Sequence, residues 1–248
     1  MVRRRLRPNS TYFEPFAGGA AVFFALVPNR AVISDINEEL IESYGVVRAA
    51  PNEVLRVLRR MRVSSEEYYR IRNSKPRSAA SRAARLLYLN RTAFAGMYRV
   101  NRNGEFNVPY GGGRTHDILW ERGLLHSASV ALQSATLTTC DFEQIMASAS
   151  HGDVIYCDPT YTVAHNNNGF VRYNERNFSW TDQRRLAASA AAAVSRGATV
   201  IVSNAHHREI ASLYPHWRIR VLRRQSLICP RPDARVGITE YLFISSTR

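Results

Sequence analysis

Asp158-Pro159-Thr160-Tyr161 follows the apolar run DVIYCD directly. It brings a carboxylate, a proline-stiffened turn and an aromatic ring together at what would be the C-terminal end of a strand, where open α/β sheets bind ligands. Such a set suits a planar heterocycle bearing an exocyclic amine. The Asp158 carboxylate and the Pro159 carbonyl accept its N–H groups, and Tyr161 stacks on the ring. The plainer reading is a turn whose Asp caps a helix. A second set is Glu14-Pro15-Phe16-Ala17-Gly18-Gly19-Ala20, followed by Asp35 16 residues beyond Gly19. Glycines at a strand-to-helix turn let a ligand approach the backbone, and an acid ending the next strand suits ribose hydroxyls. The spacing is not GxGxxG and no GK[ST] follows, which argues against a P-loop. An ordinary glycine turn is the alternative.

These residues need a frame, and the hydrophobic pattern supplies one. TYFEPF, AVISD, TLTTCDF (136–142), DVIYCD (153–158), TVIVSN (199–204), WRIRVLRR (217–224) and ITEYLFISS (238–246) read as strands. AVFFAL, INEELIESYGVV, TDQRRLAASAAAAVSRG and EIASLY read as the helices between them. Residues 51–93 break this rhythm with three helical stretches, the second starting at Ser64 or Ser65 with Glu67 as a capping-box partner. YRVNRNGEFNVPYGGG (98–113) reads as a hairpin about Asn103-Gly104, and helical pattern returns near 116–128. An α/β core spanning 1–51 and 136–248 is therefore split by a helical-plus-hairpin insert, 52–135.

The 248 residues are 45% hydrophobic and 22% charged, which excludes a wholly disordered chain. No apolar run approaches the roughly 20 residues of a membrane span. No signal-like stretch follows the basic MVRRRLRPNS, so the chain is expected to be cytoplasmic, with its isolated Cys140, Cys157 and Cys229 reduced. Thirty-four Lys+Arg against twenty Asp+Glu give a net charge of +14. A polyanion, nucleic acid first, is the natural partner, although Arg-rich composition from codon bias would look the same. The insert carries Asn90, Arg91, Phe94, Arg99, Asn101, Arg102, Asn103, Asn107 and Tyr110. Arg and Asn read base edges with paired hydrogen bonds, and aromatics wedge between bases. A solvated hairpin would have the same composition.

YFEPFAGGAAVFF, SDINEELIESY, YLNRTAFAGMYRVNRNGEFNVPYGG, TCDF, VIYCDPTY, the FVRY…F…TDQRRLA stretch, VSNAHHREIASLY and GITEYLF occur in the order found in one family. On these stretches, from Tyr12 to Phe243, the chain resembles Dam-type DNA adenine-N6 methyltransferases, which use S-adenosylmethionine. NRxGxFNVPYG is the most specific of them. The resemblance implies a Rossmann-like class I methyltransferase sheet of seven strands, the last antiparallel, with an inserted DNA-recognition subdomain. It implies that Phe16, Gly18 and Gly19 bend around S-adenosylmethionine, with Glu14 and Asn37 in the same cofactor motifs. Asp35 would hold its ribose, and Asp141 and Phe142 would meet its adenine. Asp158, Pro159 and Tyr161 would grip a flipped-out target adenine in duplex DNA, Asp158 also bordering the cofactor. Asn90, Arg91, Phe94, Met97, Arg99, Asn101, Arg102, Asn107 and Pro109 would face the DNA, Arg99 reading a base and Phe94 wedging into the stack. No metal is implied. A monomer, with a restriction endonuclease as partner in the same system, is the expected state.

The chain departs from the family pattern at three places. MVRRRLRPNS does not match the Lys-Trp-x-Gly-Gly-Lys-like segment usual before the first strand, which contributes to the cofactor pocket. DPPY is DPTY here, with Thr160 loosening the turn. Ala95 stands where GATC-specific relatives carry Asn, which bears on the recognised sequence. Two alternatives follow: a degenerate methyltransferase fold that binds DNA without catalysis, and an RNA adenine-N6 methyltransferase. The Dam-like hairpin weighs against the second, because the major groove of A-form RNA is too narrow to read. Cytosine-N4 transfer fits less well, since those enzymes usually carry Ser where Asp158 stands.

Overall fold

The alternating apolar runs become one sheet. The structure, a computed structural model, describes residues 1–101, 103–112, 123–161, 178–225 and 237–245. Its strands are β1 (Tyr12–Glu14), β2 (Ala31–Asp35), β3 (Ala135–Thr139), β4 (Val154–Cys157), β5 (Thr199–Ala205), β6 (Arg218–Gln225) and β7 (Gly237–Ile244). They lie in the order β3-β2-β1-β4-β5-β7-β6. The first five run parallel, and β7 is antiparallel to both of its neighbours. This is the seven-stranded class I methyltransferase sheet with its antiparallel last strand.

Two compact units divide the chain, one holding Met1–Ile36 and the sheet from Ser134 onward, the other built on Asn37–Gln133. In the first unit, α1 (Ala21–Leu26) follows β1, α7 (Phe142–Ser148) follows β3, α8 (Trp180–Ser195) precedes β5 and α9 (Arg208–Ser212) follows it. Strands such as VIYC are apolar throughout because parallel strands are covered on both faces. Phe13, Ile155, Val200 and Val202 pack with Leu186, Ala190 and Ala193 of α8 in a fully buried cluster, where the small alanines let the helix sit close to the sheet. The strand expected over 136–142 stops at Thr139. Asp141 accepts a hydrogen bond from the Glu143 N–H (2.9 Å) and so starts α7 instead.

The second unit packs α2 (Glu38–Ala49), α3 (Pro51–Leu58), α4 (Ser65–Asn73), α5 (Ala79–Thr92) and α6 (Leu124–Leu132). Ser64 caps α4 by accepting from the Glu67 N–H, while the Glu67 side chain turns to Arg70 rather than closing the box. The unit begins at Asn37, earlier than residue 52, because α2 lies along α5. Arg82 pairs there with Glu42, and Arg85 with Glu39 at 3.3 Å. The segment after α5 turns back on itself about Asn103-Gly104 as a narrow hairpin, as expected. Its arms meet antiparallel at Ala93 with Tyr110 and at Val100 with Phe106, the second flanked by backbone bonds from the Asn101 N–H to the Glu105 carbonyl (2.8 Å) and from the Asn107 N–H to the Arg99 carbonyl (3.0 Å). Side chains reinforce it: Asn101 Oδ1 accepts from the N–H groups of Asn103 (2.9 Å) and Glu105 (3.0 Å), and Arg99 spans to Asn107. Gly111 is required here by space, since a Cβ would lie 2.6 Å from the Ala93 carbonyl oxygen.

Candidate active site

From β1 the chain moves outward to β2 and β3, and from β4 it moves outward to β5 on the other side. β1 and β4 are neighbours, so the switch point lies between them, and the crevice at their C-terminal ends is where such sheets bind ligands. The glycine loop leaves β1 there. Asp35 ends β2, Asp141 follows β3 and Asp158 follows β4. Parallel pairing brings these four to one edge of the sheet.

The loop is held from its own strand and from the next. The Ala17 N–H donates to the Ser34 carbonyl (2.9 Å), and the Gly18 N–H donates to Asp35 Oδ2 (3.0 Å). Gly18 has φ +45°, a left-handed conformation that glycine adopts without strain. A Cβ added at Gly18 or Gly19 would meet nothing within 4 Å, so the loop's outer surface is open to a ligand. Phe16 stacks on Phe142 (5.2 Å between centroids) and meets Phe178 edge-on (5.5 Å). Glu14 lies beneath the loop, 3% exposed. Its Oε2 accepts from the Tyr12 hydroxyl (2.7 Å) and from the Phe23 N–H of α1 (3.0 Å). Burial pushes its carboxyl up to about 7, against the lowering effect of those two hydrogen bonds. Glu14 therefore supports the loop rather than presenting its carboxylate at the surface.

On the other side of the switch point Asp158 is exposed and Pro159 buried. The Tyr161 hydroxyl hydrogen-bonds with Ser203 of β5 and with Glu240 of β7. Burial, then Asp158, raises the Tyr161 hydroxyl above its ordinary pKa, so it stays a neutral donor. Ser203 and Glu240 are themselves buried. Next to Ser203, the buried Asn204 side chain donates to Gln183 of α8 at 2.9 Å. Asp141 and Phe142 sit at the β3–α7 turn. The Asp141 carboxylate caps α7 and pairs with Arg185 of α8 at 3.0 Å, and Phe142 is buried against Phe16. Asn37 belongs to the second unit, where its Oδ1 caps α2 by accepting from the Leu40 N–H (3.2 Å).

In the second unit Arg99 is engaged along its own loop. Its Nε donates to Asn107 Oδ1 (2.8 Å) and an Nη to the Asn107 carbonyl (3.2 Å). Asn90, exposed, donates to the Gly96 carbonyl at 3.4 Å. The Phe94 N–H donates to the Pro109 carbonyl (2.9 Å). Arg91 and Met97 are half-buried nearby, with Pro109 exposed, and Ala95 is exposed with φ +54°. Tyr110 packs its ring against Tyr68. Arg102, Cys229, the start of the helical pattern at 116–128 and the FVRY part of the 170–178 stretch lie outside the described residues. Ser203, Glu240, Phe178, Gln183 and Arg185 were not singled out from the sequence. Their only signal there was that most of them fall within VSNAHHREIASLY, GITEYLF and TDQRRLA, three of the family-like stretches.

A family model of the D12 class N6 adenine-specific DNA methyltransferases matches residues 4–227. The chain belongs to this family. It is 35% identical over 241 residues to the type II methyltransferase M1.LlaDCHI of Lactococcus lactis subsp. cremoris, covering 93% of this chain and 84% of that protein. It is 32% identical over 254 residues to the type II methyltransferase M.MjaIII of Methanocaldococcus jannaschii, covering 94% and 88%. It is 30% identical over 247 residues to the DNA adenine methylase of Escherichia coli strain K12, covering 97% and 88%. Family membership makes the chain a site-specific DNA adenine-N6 methyltransferase, and enzymes of this class use S-adenosylmethionine in general. The residues fit that cofactor. The open surface over Gly18 and Gly19 admits a ligand, and the Asp35 carboxylate beside it can accept from a vicinal diol. Among the described residues no helix is long and apolar enough to cross a membrane.

Proposed function

We propose that this methyltransferase acts on an adenine rotated out of duplex DNA and held at the C-terminal end of β4 by Asp158, the Pro159 carbonyl and Tyr161. An adenine inside the stack cannot reach a methyl donor, and unstacking one costs a few kcal/mol. Its exocyclic nitrogen is a weak nucleophile because the lone pair is delocalised into the ring. Two acceptors, the Asp158 carboxylate and the Pro159 carbonyl, engage both N–H groups and favour a more tetrahedral nitrogen with a localised lone pair. Positioning and electrostatics thus carry the acceleration. S-adenosylmethionine, when bound, supplies an electrophilic methyl group on a positively charged sulfur. Phe16, Gly18, Gly19 and Asp35 would hold it, bordered by Asp141, Phe142 and Asp158, with Glu14 beneath the loop and Asn37 following Asp35. Once the new N–C bond has formed, N6 is cationic and acidic and gives its proton to solvent water, so Asp158 need not be a strong base. The unit built on Asn37–Gln133 would recognise the duplex through Asn90, Arg91, Phe94, Met97, Arg99, Asn101, Asn107 and Pro109. Action as a monomer in the cytoplasm, paired with a restriction endonuclease, is part of the same reading.

The observation that carries the site assignment is the pairing of an exposed Asp158 with a Tyr161 whose hydroxyl is tied to Ser203 and Glu240. This anchors the ring beside a carboxylate that reaches the surface. Asp158→Ala is expected to abolish methylation while duplex binding persists. Long-read sequencing of DNA from expressing cells reads the modified base and its context, and a gel or anisotropy titration reads binding. Methylation within about tenfold of wild type, roughly 1.4 kcal/mol, would remove Asp158 from the reaction.

A further inference from the structure

Arg185, on the first turns of α8, pairs with three carboxylates. One of its Nη atoms donates to Asp141 (3.0 Å) and Glu143 (2.8 Å), and the other to Asp182 (2.8 Å). Its Cζ also lies 4.9 Å from the centre of the Phe142 ring. Asp182 is meanwhile committed to the start of α8, where it closes a capping box with Ser179. Phe178, the residue before that box, packs on both Phe16 and Phe142. Arg185 thus joins the β3–α7 turn to the beginning of α8, and through Phe142 to the glycine loop after β1. These are all pieces of one unit, and the first and third carry the residues assigned above to the cofactor.

All four charges are only partly buried, so the pairs by themselves contribute little to stability. What the guanidinium does is geometric. Asp141 Oδ1 receives both the Glu143 N–H and an Arg185 Nη, which defines the carboxylate's rotation about its own side chain. Without Arg185, three carboxylates would face one another uncompensated, and Asp141 would turn away from Glu143 and Asp182. Phe142 would lose the cation above its ring and with it one of the contacts that hold it against Phe16.

We infer that Arg185 is a positioning residue for the S-adenosylmethionine pocket: it sets the orientation of Asp141 and the seat of Phe142 without touching cofactor or DNA. This rests on the reading that Asp141 and Phe142 border the cofactor.

The test is calorimetric binding of S-adenosylmethionine to the full-length protein, for wild type, Arg185→Met, Arg185→Lys and Asp141→Asn. Thermal unfolding without cofactor and duplex binding are measured alongside. Arg185→Met is expected to weaken cofactor binding by about tenfold or more, the order that misplaced binding groups produce. Duplex affinity and melting temperature should stay near wild type. Methylation kinetics should show a raised KM for the cofactor and a largely retained kcat. Arg185→Lys keeps the charge but loses the fork, and should recover part of the affinity. Unchanged cofactor affinity in Arg185→Met, with Asp141→Asn impaired, overturns the positioning role alone. Unchanged affinity in Asp141→Asn overturns the underlying reading of the pocket. Equal losses of cofactor affinity, duplex affinity and melting temperature would make Arg185 merely structural. Should Arg185→Met not fold, Arg185→Lys decides: wild-type affinity in a folded Lys variant overturns the proposal.

Discussion

Asp35 and Glu14 serve the glycine loop from different sides, and their substitution should separate binding from stability. Asp35 accepts the Gly18 N–H and is assigned the cofactor ribose. Asp35→Ala is expected to lose about 2–4 kcal/mol of S-adenosylmethionine affinity, roughly 30- to 1000-fold, as charge-assisted hydrogen bonds disappear. Isothermal calorimetry reads this directly, and unchanged affinity would leave Asp35 with the loop alone. Glu14 is different, because its carboxyl is raised from 4.5 to about 7 by burial. A carboxyl whose folded pKa lies above its unfolded one favours the fold fully below the unfolded value. That contribution is lost as pH rises through the folded value. Glu14→Gln keeps an oxygen acceptor for Tyr12 and Phe23 but cannot ionise. Its stability relative to wild type should therefore improve by about 3 kcal/mol between pH 4.5 and pH 8. Denaturant unfolding across that range checks it, and a constant difference between the two proteins would show that Glu14 titrates normally.

At the scale of the element, the loop between α5 and Gly111 is where sequence and tertiary contacts compete. Asn103-Gly104 marked the turn correctly, and the arms on either side pair antiparallel at Val100–Phe106 and Ala93–Tyr110. Asn101 and Asn107 add side-chain acceptors to this backbone pairing. Arg99 has two roles open to it, reading guanine or bracing Asn107. In the structure it braces Asn107, and a swing onto a base edge would have to break those two hydrogen bonds. Arg99→Ala is expected to relax the methylated sequence at one base pair, with discrimination falling by about 1–3 kcal/mol. A methylation profile with wild-type preference would assign Arg99 to the loop only. Gly111→Ala tests the brace from the other side. Its Cβ would fall on the Ala93 carbonyl, and the loop's return arm must move. Duplex binding should weaken more than cofactor binding, as paired titrations would reveal.

Over the whole molecule the net charge of +14 is the largest single fact about its partner. Arg70, Arg82, Arg85 and Arg185 form ion pairs with carboxylates. Arg3 of the N-terminal segment is drawn in, donating to the Ala25 carbonyl at the end of α1 (3.1 Å). The excess of arginine over acid is what phosphates would neutralise. Duplex affinity should fall steeply with salt, with a slope of roughly 0.9 for each phosphate neutralised, while S-adenosylmethionine affinity without DNA should barely change. A salt titration of both ligands distinguishes them. A flat duplex curve would assign the excess charge to composition rather than recognition.

Much of this was legible in the residues. Strand and helix positions follow from hydrophobic period, and AVISD and AVFFAL were read to the residue. The glycine loop, Asp35 and DPTY stood out because glycine, proline and strand-terminal acids act over a few residues of chain. The antiparallel last strand and the family came from resemblance, not from period or spacing. Other features needed the folded chain. β3 was read too long because a single cap, Asp141 to the Glu143 N–H, outweighs a β-rich run. The second unit began early because α2 is claimed by α5, a contact between residues some forty positions apart. Tyr161 meets Ser203 and Glu240 only because β5 and β7 pair with Ala205 opposite Glu240. Arg185 reaches Asp141 across 44 residues of chain. Local sequence determines which residues can form a strand, a cap or a turn, because those energies are decided within a few residues. Strand order, register and long-range ion pairs depend on which surfaces remain to be buried once the elements exist, and only the tertiary structure decides that.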